Sequence, residues 1–476
     1  MIKIDFSSKK VQLALRFFTY GVMALATIIL SFLAVLYAMG YRFNKDFSFE
    51  QGGVAQFRTT PTGAMVFADD ARQENTPSRA YLSPGSHNIS MQLDGYRHWN
   101  RQVSLQPGQL LWLDYARFVP NTVKTTTVRE FPSVIDGLAS PDRRWILIQQ
   151  QQNSPTFTLA DVSSEKDPVL TELTIPETSL TKKDGNFGQF QIIEWSLDSR
   201  YILVRHTNGD VNEVLRIDRS NAAETVNIGN LFRLNIGEVH FSGNNANILY
   251  AQTSDVLRRL DIPAGNASAA LVVGTKSFVL YGGDHIAYVA EREKVAGDPQ
   301  TKQQVVGIYN GQETIVKTFG LDEKVLIDFT EYYRHQYLAI ASNNGKVEIL
   351  QDPTESAKVT PVEITYNGDI AWMKFSDNGR MLAAGNASSW INHDLELAHT
   401  SQASIEGNVA NHPKWLDSFH FWAQANDKLV MMEFDGQNAS EITDASGGLI
   451  ASLSPNGRSL FSFKNNTLQS SRMIVE

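Results

Sequence analysis

His393 and His399 are the side chains whose type and spacing first suggest a metal site in this sequence. Six residues apart on one strand they share a face, but at about 3.3 Å per residue they lie roughly 20 Å apart, too far for one ion. Cysteine is absent, which removes disulfides, thiolate metal sites and Cys nucleophiles. There is no His-Glu-x-x-His, no EF-hand loop, no phosphate-binding Gly-rich loop and no Gly-x-Ser-x-Gly elbow. No residue is therefore assigned as catalytic, cofactor-binding or metal-binding, and no cofactor is expected. Trp99 and Trp112 could stack on sugars but read better as packing residues. A recurring Ser-x-Asp or Ser-x-Asn reads best as a turn whose side chains hydrogen-bond its own backbone amides. Two polar inserts, 291–304 and 176–189 with Asp184-Gly-Asn-Phe-Gly188, are places where specificity could sit, although solvated connections are the simpler reading.

Elements must position these groups, and from Thr122 onward one unit keeps returning. An apolar strand is followed by a turn on Ser-x-Asp or Ser-x-Asn, then by a second apolar strand. Clear copies run Leu138–Ile148, Trp195–Val204, Phe375–Ala383 and Leu453–Phe461. Weaker copies run Phe241–Tyr250, Tyr281–Tyr288, Phe329–Leu338 and Trp415–Phe421. The first turn residues fall at 140, 196, 242, 282, 330, 376, 416 and 454, a spacing centred on the roughly 40–50 residues of a four-stranded propeller blade. Eight copies predict eight blades, with seven as the alternative if the copy at Gly282 is miscounted. The last copy has chain for three strands only. The β-branched segment 122–130 is expected to supply the fourth and close the ring.

Residues 17–39 are apolar and uncharged, long enough at about 1.5 Å per residue to cross a bilayer core of about 30 Å. Lys3, Lys9, Lys10 and Arg16 precede them against Asp5 alone, so the positive-inside rule puts 1–16 in the cytoplasm and the bulk outside. A buried core helix and a cleaved signal peptide, with Ala38-Met39-Gly40 as the cleavage site, are the competing readings; the apolar stretch exceeds the usual length of the latter. A linker at 40–51 leads to a module at 52–119, where strand candidates Val54–Arg58 and Ala64–Phe67 flank Thr60-Pro61-Thr62-Gly63. His87, Ile89, Met91 and Leu93 alternate with polar residues, as do Leu111, Leu113 and Tyr115 with Trp112, Asp114 and Ala116. Five or six strands make a small β-sandwich.

This module resembles the PEGA domain, on Pro61-Thr62-Gly63-Ala64, Thr76-Pro77, Leu82-Ser83-Pro84-Gly85-Ser86-His87 and Gly95-Tyr96. The namesake tetrad is degenerate at Pro84-Gly85-Ser86, and Asp69-Asp70 replaces the usual Asp-Gly turn. The resemblance implies a β-module of bacterial envelope proteins, associated with wall or carbohydrate contact. The later repeat resembles that of TolB-like, or WD40-like, propellers, with Ser140-Pro-Asp and Ser454-Pro-Asn-Gly the best matches. Ser140-Pro-Asp-Arg-Arg-Trp145 is also similar to the Asp box of sialidases but lacks its Gly-x-Thr continuation, and the Trp-docking repeat of eight-bladed quinoprotein dehydrogenases is missing. Peptidases with propellers of these kinds carry a hydrolase domain after the propeller, and this chain stops where the ring closes.

The expected fold is all-β apart from one transmembrane helix: a PEGA-like sandwich at 52–119, then a propeller at 122–476. Only Pro120-Asn121 separates the two, so they are expected to move together. The net charge of −9 and pI of about 5.6 argue against a nucleic-acid partner. The expected role is a single-pass, extracytoplasmic binding or scaffold protein of the cell envelope, engaging protein or glycan through the propeller. The alternative is a hydrolase or lyase working in the propeller channel, or the non-catalytic half of an enzyme complex.

Overall fold

The computed structural model of the chain describes all residues except 1–8, 44–48, 165–166, 184, 244, 283–284, 295–300, 356–360 and 476. The chain divides into two compact units, Met1–Thr122 and Val123–Glu476.

The first unit opens with helix α1 (Lys9–Ala38), which begins well before the expected start at residue 17. Its span Val11–Ala38 is apolar enough to cross a membrane and, among its described residues, none is buried within the protein. The polar Thr19 and Thr27 return their hydroxyls to the carbonyls of Leu15 and Met23, satisfying them inside the helix. The segment expected to be a linker carries two short paired strands among its described residues. Strands β1 (Tyr41–Phe43) and β2 (Phe49–Gln51) form an antiparallel ladder that brings the chain back to the helix end. There Gly52 N donates to Gly40 O at 3.1 Å and Gln51 Nε2 donates to Met39 O at 3.0 Å. Glycine is required at 52 and 53, since a Cβ would stand 2.7 Å from the Leu82 carbonyl oxygen and 2.6 Å from Leu105 Cγ respectively.

Seven strands follow, more than expected: β3 (Gly53–Thr60), β4 (Met65–Ala68), β5 (Ala71–Arg72), β6 (Ser78–Leu82), β7 (Gly85–Gln92), β8 (Trp99–Leu105) and β9 (Leu110–Arg117). They form two sheets, β6-β3-β9 and β5-β4-β7-β8. Ala55, Phe57, Val66, Ile89, Met91, Trp99, Leu111 and Leu113 are buried between them. The alternation expected through Tyr115 breaks. A register shift against β3 between Phe57 and Thr59 turns Ala116 inward and leaves Tyr115 half-buried, because a bulge moves every later side chain to the other face. Asp69 and Asp70 take φ values of 47° and 65°, the left-handed region that a two-residue hairpin turn needs. The Asp69 carboxylate accepts Asn88 N at 2.8 Å and lies 2.6 Å from His87 Nδ1, bonds that tie the turn to strand β7.

The second unit contains eight antiparallel sheets among its described residues, and we number them as blades in chain order. Blades 1 to 7 span 136–174, 189–227, 236–273, 275–319, 325–365, 372–404 and 414–444. Blade 8 takes three strands from 451–472 and its fourth from β10 (Thr125–Glu130), which pairs with Thr467–Arg472. The copy at Gly282 carries its own sheet, blade 4. Apolar side chains fill the spaces between successive sheets: Phe157 and Trp195 between blades 1 and 2, Phe241 and Leu203 between 2 and 3, Phe461 and Ile148 between 8 and 1. Trp390 packs edge-on against Phe421 and donates to Phe434 O at 3.0 Å, joining blades 6 and 7. Asp444 binds Lys428 and, from blade 8, Lys464. These contacts close a ring of sheets, a β-propeller, in which β10 completes blade 8 as its outer strand.

Candidate functional site

The first strand of each blade is innermost, so these strands are the elements that could present side chains to a ligand in the ring. They are tied to one another by side chains whose positions recur. Glu194 of blade 2 accepts Phe241 N of blade 3 at 2.6 Å, Glu238 of blade 3 accepts Phe278 N of blade 4 at 3.2 Å, and Asp328 of blade 5 accepts Phe375 N of blade 6 at 2.7 Å. Trp195 Nε1 donates back to Leu138 O and Trp415 Nε1 to Lys374 O. An inner-strand amide has no ladder partner on its channel side, so a carboxylate from the next blade satisfies it.

One clamp carries a charge cluster. His240 Nδ1 lies 2.8 Å from Glu194 Oε2 and its Nε2 lies 3.4 Å from Glu238 Oε1, with its ring edge-on to Phe278. Burial opposes the charged imidazole, but the two carboxylates outweigh it and raise the pKa to about 9. Both ring nitrogens then donate, and His240 is an imidazolium at neutral pH. Further round, Lys374 Nζ bonds Asp328 at 2.9 Å.

At the face where the inner strands begin, blades 1 and 2 frame a cleft of about 460 Å³ lined by Ile135, Asp136, Gln149, Gln152, Gln189, Phe190, Gln191, Arg205 and Thr207. Gln189 and Gln191 are exposed while Phe190 between them is buried, the alternation of a strand with one wet side. Arg205 supports the wall rather than the opening: its guanidinium donates to Asn212 Oδ1, Ile236 O and Gly237 O. Gln149 Nε2 holds Phe190 O at 2.8 Å. Asp136 is raised above the ordinary carboxylate range by burial, against the attraction of Lys414, and burial lowers Lys414 in turn.

The Ser-x-Asp motif stands at the opposite ends of the inner strands. Ser140, Ser196, Ser376 and Ser454 each accept the amide of the residue five on and donate to the Asp or Asn two on. The weak copy at 330 differs: its strand runs on to Tyr332 and the turn is Tyr333-Arg334, both at positive φ. Four residues after the motif's Ser, an arginine forks onto an aspartate at the end of the third strand, Arg144 on Asp161, Arg200 on Asp218 and Arg380 on Asp394. Sequence reading missed this second half of the motif. Its signal is the repeated Arg followed 14 to 18 residues later by Asp.

His393 and His399 are not on one strand. Asp394 ends the third strand of blade 6 and His399 begins the fourth; His393 pairs with Thr400 and Asp394 with His399, so the two histidines, one register step apart, point to opposite faces of the sheet. His393 is buried on Thr400 Oγ1 at 2.8 Å, and burial depresses its pKa. Among the described residues no group of three His, Asp or Glu side chains could hold a metal. Trp99 is buried in the sandwich core edge-on to Tyr115, and Trp112 is half-buried. The two ends of the 291–304 insert are ladder, with Glu291 to Glu293 paired to Lys302 to Gln304; residues 295–300 lie outside the described residues. The 176–189 insert folds back on blade 2, where Thr181 donates to Glu213 and Phe187 O meets His206 Nε2; Asp184 lies outside the described residues.

Residues 54–118 match the PEGA domain family, the segment that forms the sandwich. The chain thus joins a PEGA domain to a β-propeller. No curated protein matches the chain. Among solved structures, the C-terminal WD40 domain of Sif2 is similar at 12% identity and a TM-score of 0.49, covering 75% of this chain and 100% of that one. An oligogalacturonate lyase in complex with manganese is similar at 10% identity and a TM-score of 0.42, with 71% and 98% covered. U3-55K is similar at 10% identity and a TM-score of 0.39, with 73% and 98% covered.

Proposed function

We propose that the chain is a membrane-tethered, extracytoplasmic binding protein of the cell envelope, and that the propeller grips an extended segment of a protein partner at the glutamine-lined cleft of blades 1 and 2. The observation that carries this reading is the division of labour among polar groups. Several ionisable side chains are engaged in holding the ring: Glu194, Glu238 and Asp328 on inner strands clamp backbone amides, and Arg205 on the second strand of blade 2 caps two carbonyls. The exposed polar side chains of the cleft are amides, Gln152, Gln189 and Gln191, beside the exposed Ile135 and the half-buried Asp136. A carboxamide offers a donor pair and an acceptor, which matches a peptide backbone. The cleft's one aromatic ring, Phe190, is buried, so it provides no stacking platform for a sugar. The Glu194–His240–Glu238 cluster is the feature nearest to an enzyme's, but an imidazole held charged to about pH 9 is a poor general base at neutral pH. Helix α1 supplies the tether, and the four basic residues ahead of its apolar stretch favour a cytoplasmic N-terminus.

The test is a pull-down with the soluble part from Gly52 onward, against envelope extract and against peptidoglycan. The expected result is enrichment of a specific protein that is lost with Gln189→Ala plus Gln191→Ala. Enrichment of neither protein nor peptidoglycan, or of peptidoglycan alone, would overturn the proposal.

A further inference from the structure

The three-stranded sheet of the PEGA domain has an outer face whose composition changes in order along the strands. Nearest the helix end, Tyr81 of β6, Val54 of β3 and Leu110 of β9 lie in register across the sheet. Tyr81 is 51% and Leu110 44% exposed, with Val54 half-buried between them. Two residues further along, about 7 Å away, the row is Arg79, Gln56 and Trp112. Beyond it stand the exposed Arg58 and Asp114.

The first row adjoins the end of the apolar helix. Tyr37, Met39, Gly40, Gly52, Val54 and Tyr81 share one shallow cleft, and Tyr37 and Met39 are themselves 64% and 53% exposed. The two turns at this end, Leu82-Ser-Pro-Gly-Ser86 and Gln106-Pro-Gly-Gln-Leu110, contain no charged residue. The helix is not free to swing this surface away, because the β1–β2 ladder and the bonds of Gly52 to Gly40 and Gln51 to Met39 return the chain to its last turn. Apolar, then aromatic and cationic, then charged is the order of a bilayer's outer boundary, from acyl chains through headgroups to water.

We propose that this edge of the PEGA domain is a lipid-docking surface. It seats the Tyr81–Val54–Leu110 row in the interfacial zone of the same bilayer that α1 crosses, with Trp112 and Arg79 at headgroup level. Tyrosine rings suit that zone because one end is apolar and the other wet. The module is then a collar fixed on the membrane surface, not a bead on a flexible tether. The inference rests on the anchoring role proposed for α1, and its test separates the two.

The chain has no cysteine, so a single introduced one can be labelled uniquely. Ile28→Cys, Tyr81→Cys, Leu110→Cys and Thr62→Cys would each be spin-labelled in the full chain and placed in vesicles of phosphatidylethanolamine and phosphatidylglycerol. Collision with oxygen, which enters lipid, is compared with collision with a nickel chelate, which stays in water. The expected result is lipid-like accessibility at 28, water-like at 62, and a severalfold lower nickel accessibility at 81 and 110 than at 62. A lipid-like signal at 28 with 81 and 110 as wet as 62 overturns the docking surface and leaves the anchor standing. A water-like signal at 28 overturns both.

Discussion

At the scale of single residues, the propeller uses its charged side chains to satisfy backbone where the sheets run out. His240 shows the consequence most directly. Its pKa of about 9 in the folded chain lies above the ordinary imidazole value of about 6.5. A group whose folded pKa is raised adds stability that is full below the unfolded value and lost as pH rises through the folded one. Thermal unfolding of the propeller should therefore show a decline in stability between about pH 6.5 and pH 9 that disappears in His240→Gln. The repeated Arg–Asp forks differ in burial, and Arg380 also binds Glu396. Arg380 and Asp394 are 8% and 5% exposed, whereas Arg144 is 50% exposed. Arg380→Ala should cost about 3–5 kcal/mol by stranding a buried carboxylate. Arg144→Ala should cost less than about 1 kcal/mol. Denaturant unfolding of both variants checks the contrast. The Ser and Asp of the turns were legible in sequence because their bonds are local. The inner-strand carboxylates were not, since each meets an amide some 40 to 47 residues away.

At the scale of elements, the decisive strand is β10. Thr125 and Glu130 pair with Ser471 and Thr467, more than 330 residues later, and Thr125 Oγ1 meets Ser471 Oγ at 2.9 Å. Without it, the third strand of blade 8 becomes an unpaired edge of a large sheet assembly. A propeller beginning at residue 132 should unfold at a markedly lower temperature and self-associate, while one beginning at 122 stays monomeric; calorimetry with light scattering reads both. The polar composition of 291–304 suggested a loop, but a strand pair with one wet face is polar as well, and the ladder takes in both its ends, 291–293 and 302–304. The bulge in β9 was equally hidden. Alternation at Leu111 and Leu113 was visible, whereas the shift that turns Ala116 inward depends on the partner strand β3.

At the scale of the whole molecule, the chain is one PEGA domain on an apolar helix and one propeller of eight sheets among its described residues. Its aromatics follow from that plan: Trp195, Phe241, Phe329 and Phe375 lie on inner strands and are buried between blades, where wedge-shaped gaps need large rings. Its acidity follows in part as well, since carboxylates serve as the clamps between blades. Four of its cations, Lys3, Lys9, Lys10 and Arg16, precede the apolar stretch, so the remainder is more acidic than the total of −9.

The sequence by itself determined the helix, the sandwich and the repeat, because hydrophobic period, turn residues and a spacing of 40 to 50 residues are local or periodic signals. Tertiary structure alone decided which carboxylates became clamps, that the two histidines of blade 6 sit on neighbouring strands, and that the residues after the helix fold back on it. Each of these depends on which strand lies beside which, and closing a ring brings together residues whose separation along the chain carries no local signature.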